Sequence, residues 1–366
     1  MANEKLKTED YIQPMNNSLS IFFSNAFKVF IKSPRLAFLI YSIIRKQRKA
    51  SRLRLYWEGQ GVHVPPYMIA SITNMCNLRC KGCYAKAHNR VSGEELTCEH
   101  WIKIFSESRE LGISVIFLAG GEPFSRNDIL DITGKFQDIV FPVFTNGILI
   151  DDSVIVKLRE QKNLIPIISM EGYEKETDNR RGKGVYEKTC SVMEKINREG
   201  IIFGVSLTVT CHNFDIITEE KFIRKLTDTG CRLFFYIEYV AVEEDTEDLV
   251  LTNLQRQRLG VLMDEFHSEY NGLFIAFPGD EEKFGGCLAA GRGFVHVSPQ
   301  GNLEPCPFSP YSDICLKNST LKEALKSEFL KKIRQAHDSL TEMEGGCALW
   351  NNRDWVKSLL QKHDSE

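Results

Sequence analysis

Three cysteines stand close together in Cys76-Asn77-Leu78-Arg79-Cys80-Lys81-Gly82-Cys83. They follow an apolar run, Tyr67-Met68-Ile69-Ala70-Ser71-Ile72, which reads as a strand delivering a thiol-bearing loop. Three thiols on one short loop can ligate a metal centre and leave one coordination position open. Structural zinc sites usually close with four ligands, whereas an open position is what chemistry needs. Thiolates also hold iron–sulfur clusters, usually with four cysteines, so a cluster held by three exposes one iron. The structural alternative is a zinc knuckle completed from elsewhere, for example by His88.

A second apolar run, 113–119, leads straight into Gly120-Gly121-Glu122-Pro123. With the cysteine loop and this turn in that order, the chain resembles the radical SAM superfamily. That family pairs a CxxxCxxC loop after the first barrel strand with a GGEP-like turn after the second. One position departs from its pattern: the residue before the last cysteine is usually aromatic and here is Gly82. The resemblance implies a [4Fe-4S] cluster held by Cys76, Cys80 and Cys83, whose fourth iron binds S-adenosylmethionine (SAM). It further implies one-electron cleavage of SAM to methionine and a 5′-deoxyadenosyl radical, which abstracts a substrate hydrogen. Backbone groups of Gly120 and Gly121 and the turn at Glu122 would hold SAM's amino end, small residues allowing close approach. Ser169-Met170-Glu171-Gly172 is similar to the Ser-Leu-Asp-Gly of the peptide-modifying branch, and Asp178-Asn179-Arg180-Arg181-Gly182 matches its Asp-x-x-Arg-Gly. By that likeness Ser169 and an arginine, Arg181 in preference to Arg180, would hold SAM's ribose and carboxylate, since a guanidinium grips a carboxylate bidentately.

The elements that must position these groups show in the periodicity. From Pro65 to Phe277 apolar strand runs alternate with amphipathic helices, the pattern of βα units on a parallel sheet. Strands are predicted at 67–72, 113–119, 141–145, 164–170, 201–209 and 232–239, with helices near 97–110, 126–137, 151–160, 185–198, 216–228 and 252–270. Six such repeats make an α/β partial (βα)6 TIM-like barrel, the fold that the resemblance also implies. Functional groups of such barrels gather on the loops after the strands, where both motifs fall. Thr145-Asn146-Gly147, after the third strand, reads as a turn. Glu238, at the end of the sixth, is a candidate for substrate contact or a proton path, and the acidic run 243–248 reads as a solvated loop.

Ahead of the barrel, residues 1–64 form a helical extension. Leu19, Phe22, Phe23, Ala26, Phe27, Phe30 and Ile31 share one helical face, and Ser33-Pro34 opens a second helix carrying Leu36, Leu39, Ile40, Ile43 and Ile44. Residues 1–56 hold eleven Lys and Arg against three Asp and Glu. No uncharged run reaches the ~18 residues of a spanning helix. This basic pair either packs over one end of the barrel or lies, through residues 19–54, on an anionic membrane surface.

Beyond the barrel (65–277), residues 278–366 read as a small C-terminal domain with Cys287, Cys306, Cys315 and Cys347. The stretch 295–306 predicts a β-hairpin turning at Pro299–Asn302. Thirteen residues separate Cys287 from Gly301 and four separate Gly301 from Cys306. This resembles the CX9-15GX4C opening of the SPASM/Twitch extension, which carries auxiliary [4Fe-4S] clusters. The further CxxCx5Cx3C group of a full SPASM domain is missing, so four thiols would serve one auxiliary cluster. The alternative is a zinc-stapled lobe.

The whole chain has 366 residues, is 43% hydrophobic and 26% charged, and carries a net charge of −3, which offers no overall field to nucleic acid. Eleven cysteines without an apolar signal segment point to a reducing, cytoplasmic setting in which thiols are ligands rather than disulfides. Seven fall in the two sets above; Cys98, Cys190, Cys211 and Cys231 read as small buried hydrophobes. The resemblance implies an enzyme that takes electrons from a reductase such as flavodoxin or ferredoxin. Its substrate is a peptide or protein side chain, or else a lipid or small molecule; a non-catalytic iron–sulfur or zinc module is the alternative of another class.

Overall fold

A computed structural model describes residues 16–17, 20–21, 24–26, 29, 34–88, 93–278, 286–340 and 347–360. Leu19, Phe22, Phe23, Phe27, Phe30 and Ile31, the side chains of Leu36, Leu39 and Ile40, and most of the 278–286 linker lie outside the described residues.

All six predicted strands are present: β1 (Tyr67–Ser71), β2 (Val115–Ala119), β3 (Phe141–Thr145), β4 (Leu164–Met170), β5 (Gly204–Val209) and β6 (Leu233–Glu238). A seventh, β7 (Leu273–Phe277), pairs parallel with β6 after the helix Asn253–Glu269. Its five residues follow the helical pattern too closely to stand out as a separate run. The sheet runs β7-β6-β5-β4-β3-β2-β1 and continues into β8 (Phe294–Val297), parallel to β1, and β9 (Leu303–Glu304), antiparallel to β8. The segment beginning at 278 therefore extends the barrel's own sheet. Ser71 Oγ and His296 Nε2 lie 2.8 Å apart, and His296 Nδ1 is 2.8 Å from Glu304 Oε2, a buried polar tie between the two parts.

The sheet is curled. Phe117 on β2 and Phe235 on β6 are four strands apart, about 19 Å in a flat sheet, yet their rings sit 6.1 Å apart. Phe117 also meets Phe277 of β7 at 6.2 Å. Alternation along each strand sends Val115, Ile165, Ile167, Leu233, Phe235 and Leu273 into this concave interior. Met68, Ile116, Leu118 and Val143 face outward onto the helices Cys98–Leu111 and Ile129–Gly134. Burial on both faces is why these strands read as near-continuous apolar runs.

Ala26 and Ile43 enter the concave core beside residues that open their strands, Val115, Leu233 and Leu273. The N-terminal helix Pro34–Gly59 thus closes the barrel at the end away from the cysteine loop. Two of its cations are consumed there. Arg54, 1% exposed, donates from Nη1 to Gly112 O and from Nε to Asn16 Oδ1 at 3.0 Å, and Lys46 donates to Gln137 O at 2.7 Å. Burial brings the Arg54 guanidinium down to about 10. Among the described residues no helix is long and apolar enough to cross a membrane.

Candidate radical site and thiol clusters

The loops after β1 and β2 meet backbone to backbone. Gly121 N–H donates to Thr73 O and Glu122 N–H to Met75 O, each at 2.7 Å. A Cβ on Gly120 would stand 2.4 Å from Thr73 O, and one on Gly121 2.1 Å from Met75 O. Gly120 also has φ +123°, where other residues are strained. The close approach that these glycines allow is thus made to the cysteine loop itself.

Glu122 is 1% exposed and fully engaged. Its Oε1 accepts from Thr145 Oγ1 at 2.7 Å and Phe124 N–H at 3.1 Å, and its Oε2 from Asn146 N–H at 2.7 Å. Burial pushes the carboxyl above its usual range, and these donors oppose the shift. Asn146 Nδ2 donates to Asn77 Oδ1 at 2.8 Å. Thr145-Asn146-Gly147 is therefore more than a turn, because it fastens Glu122 and the cysteine loop to the end of β3.

On the opposite side lies a buried charge cluster. Glu171, after β4, is 2% exposed, and its Oε1 takes Arg180 Nη1 at 2.6 Å and Arg181 Nε and Nη2 at 2.8 and 2.6 Å. Both arginines come from the helix Glu174–Arg181, whose Arg180 carbonyl accepts Lys81 N–H at 3.0 Å. Burial raises the Cys80 thiol, and the charges of Arg181 and Arg180 oppose that shift. Cys76 is raised chiefly by burial, against a hydrogen bond from Leu78 N–H to its sulfur at 3.4 Å. Ser169 sits half-buried on β4 beside Ser206 of β5.

Gly82 has φ +62°, and a Cβ there would lie 2.3 Å from Tyr239 Oη. The space an aromatic at 82 would need is taken by a tyrosine, 3% exposed, from the end of β6. Glu243 Oε2 accepts Gly82 N–H at 2.9 Å, so one member of the exposed acidic run is tied to the cysteine loop. Glu238 is held by Arg256 Nε at 2.9 and 3.1 Å, its carboxyl raised by burial against that guanidinium.

The C-terminal thiols divide. Cys306 lies within hydrogen-bonding reach of Cys347 and near Cys287. Its thiol is pushed up by that bond, by burial and by both neighbouring thiols, and only Phe308 N–H opposes. Cys315 is elsewhere: it bridges to Asn302 at the hairpin tip, with its sulfur 3.7 Å from Gln300 O. Asn302 precedes Cys306 by four residues, on the order of 13 Å along a strand. Gly345 and Gly346 lie outside the described residues. Of the four remaining cysteines only Cys231 is buried; Cys98, Cys190 and Cys211 are partly exposed, and Cys211 Sγ donates to Asp248 O at 2.8 Å.

These residues fit the groups that the motifs imply. Among the described residues no three His, Cys, Asp or Glu side chains close to the spacing of a single metal ion. A cubane does not require that closeness, because each thiolate binds a different iron. Beside Cys80, Glu171 Oε2 and Arg180 Nε are buried and take no hydrogen bond among the described residues, which suits a polar ligand still to be received. Glu171 and Tyr239 escaped the sequence reading as site residues. Glu171 stood inside a quoted motif, but nothing local tells that its carboxylate binds two arginines.

A family model described as "Radical SAM superfamily" matches residues 70–227. The chain is 24% identical over 312 residues to the AdoMet-dependent heme synthase of Methanosarcina barkeri, covering 78% of this chain and 88% of that protein. It is 26% identical over 279 residues to the antilisterial bacteriocin subtilosin biosynthesis protein of Bacillus subtilis, covering 73% of this chain and 61%, less than two thirds, of that one. The fold is shared with Streptococcus suis SuiB, solved bound to precursor peptide SuiA, at TM-score 0.63 and 19% identity over 89% of this chain and 79% of the other.

Proposed function

Because this chain carries a radical SAM domain and is an enzyme of that superfamily, we propose that it modifies a peptide or protein side chain with the help of one auxiliary [4Fe-4S] cluster. Cys76, Cys80 and Cys83 would hold the cluster that binds SAM, and Cys287, Cys306 and Cys347 the auxiliary one. When bound, the first cluster and SAM supply a hydrogen-abstracting radical; the protein supplies orientation and exclusion of water. Gly120 and Gly121 set the height of the cysteine loop, and Glu122 locks it to β3. Arg180 and Arg181 would offer positive charge to a SAM carboxylate, and Ser169 a hydroxyl to the ribose. Residues 65–277 would form the catalytic barrel, 278–366 the auxiliary lobe and 1–64 its closing extension. Electrons would come from a flavodoxin or ferredoxin.

The convergence of Cys287, Cys306 and Cys347 carries this reading, since two buried thiols and a half-buried one gathered past the edge strand β9 have no structural need of one another. Anaerobic reconstitution tests it. The protein should bind about eight irons and form 5′-deoxyadenosine with SAM and dithionite. Cys315→Ala should match it in both respects. Zinc in place of iron, without deoxyadenosine, overturns the assignment; loss of half the iron in Cys315→Ala returns that residue to the ligand set.

A second reading, a lipid or small-molecule substrate met at a membrane surface, is favoured by the outer face of the helix Pro34–Gly59. Tyr41 and Tyr56, 52% and 58% exposed, bracket the exposed Arg45, Arg48, Lys49 and Arg52. Each such cation is worth about 1 kcal/mol at an anionic surface. Replacing all four by Glu should abolish cosedimentation with phosphatidylserine vesicles, without opening the barrel as deletion of the helix would. Equal sedimentation of variant and parent, or none by the parent, sinks this reading.

A further inference from the structure

The two thiol sets approach each other through two aromatic rings. Tyr84 follows Cys83 directly and opens the short helix Tyr84–Ala87. Phe308 lies two residues beyond Cys306, with only Pro307 between them. The rings of Tyr84 and Phe308 meet edge to face with centroids 5.2 Å apart. Both are half-buried, so the contact is partly shielded from water. From Cys306 a path therefore follows the chain through Pro307 to Phe308, crosses one ring contact to Tyr84, and then runs only through covalent bonds to Cys83. A second seam, His88 against Trp350 at 5.6 Å, begins three residues beyond Cys347 and presses the same two segments together.

We propose that the Tyr84–Phe308 contact is the electron route between the two cluster sites, a role that rests on the two-cluster reading above. Through bonds and contacting π-systems an electron is conducted far better than across a gap, and this is the one ring contact joining residues adjacent to both thiol sets among the described residues. One electron leaves the auxiliary centre, which is oxidised by one unit, and reaches the SAM-side centre, which is reduced by one; no proton or atom moves. The electron is supplied from outside by a one-electron donor of the flavodoxin or ferredoxin class, or by dithionite in vitro.

The test uses the full chain reconstituted with both clusters. After a rapid reducing pulse, freeze-quench EPR follows decay of the reduced auxiliary signal and growth of the SAM-side signal, which added SAM shifts and so identifies. Phe308→Leu keeps the backbone that joins it to Cys306 and removes only the ring; Tyr84→Leu removes the ring from the other side. Each should slow the transfer roughly tenfold by opening the contact while leaving the cofactors' own chemistry alone. Tyr84→Phe should run at the parent rate, and iron, sulfide and both midpoint potentials should stay unchanged. Parent-like rates in both Leu variants with both centres loaded overturn the route. If one Leu variant loses iron, the other decides. Should the parent itself bind only one cluster's iron, the two-cluster reading has failed and the route with it, and the iron count alone shows that before any rate is measured.

Discussion

Replacing Cys76, Cys80 and Cys83 together by Ala abolishes 5′-deoxyadenosine formation while leaving about half of the iron in place. The first effect should be complete, because the three thiols lie on one loop and no other thiol among the described residues shares it. The second follows from the separation of the two sets. Cys287 precedes β8, Cys306 follows β9 and Cys347 lies beyond residue 346, so none of them is on the cysteine loop. Fold should survive, since the loop is pinned by backbone bonds from Gly121 and Glu122 and by Asn146 to Asn77, not by thiols. The measurement is paired iron analysis and deoxyadenosine assay on parent and variant. Residual SAM cleavage would remove the loop from the chemistry, and loss of all iron would mean that the auxiliary site does not load by itself.

Glu171→Ala should be the most destabilising single change at the site. The carboxylate is 2% exposed and is the acceptor for three donors from Arg180 and Arg181, at 2.6 to 2.8 Å. Removing one partner of a buried ion pair costs about 3–5 kcal/mol, mainly because the surviving charges stay buried without compensation. Here two guanidiniums are stranded, although Thr208 Oγ1 still accepts from Arg180 at 3.1 Å. Glu171→Gln keeps an acceptor oxygen and should cost less. Denaturant unfolding of the three proteins without clusters checks this ordering. A Glu171→Ala protein within about 1 kcal/mol of the parent would show that solvent reaches the arginines and that the cluster is a surface feature. Both variants should also raise the SAM concentration needed for half-maximal cleavage, since the arginines lose the carboxylate that anchors them.

Much of this site could be read before any coordinates. The cysteine loop, the Gly-Gly-Glu-Pro turn and the hairpin at Pro299–Asn302 are local patterns, and local patterns survive into the structure because they are set by neighbouring residues. Gly120 and Gly121 are legible as glycines that something must approach. That the approaching group is the backbone of Thr73 and Met75 depends on two strands lying side by side. Glu243 looked like any member of an acidic loop, and only the fold brings it to Gly82 N–H.

Sequence alone determined the winding of the barrel, the loops that bear its thiols and the family to which the motifs belong. It could do so because short apolar runs alternating with helices of 3.6-residue period mark strands buried on both faces and helices laid over them. Tertiary structure decided the rest. It set Tyr239 into the space over Gly82, joined Glu171 to both arginines, put Cys315 at the hairpin tip away from Cys306, and turned the basic N-terminal helix into the plug of the barrel. Each of these joins residues far apart in the chain, and their meeting follows from the curl of the sheet, which brings β2 against β6 and β7. An apolar run records that a strand is buried, but the curvature that decides what its inner face meets belongs to the sheet as a whole.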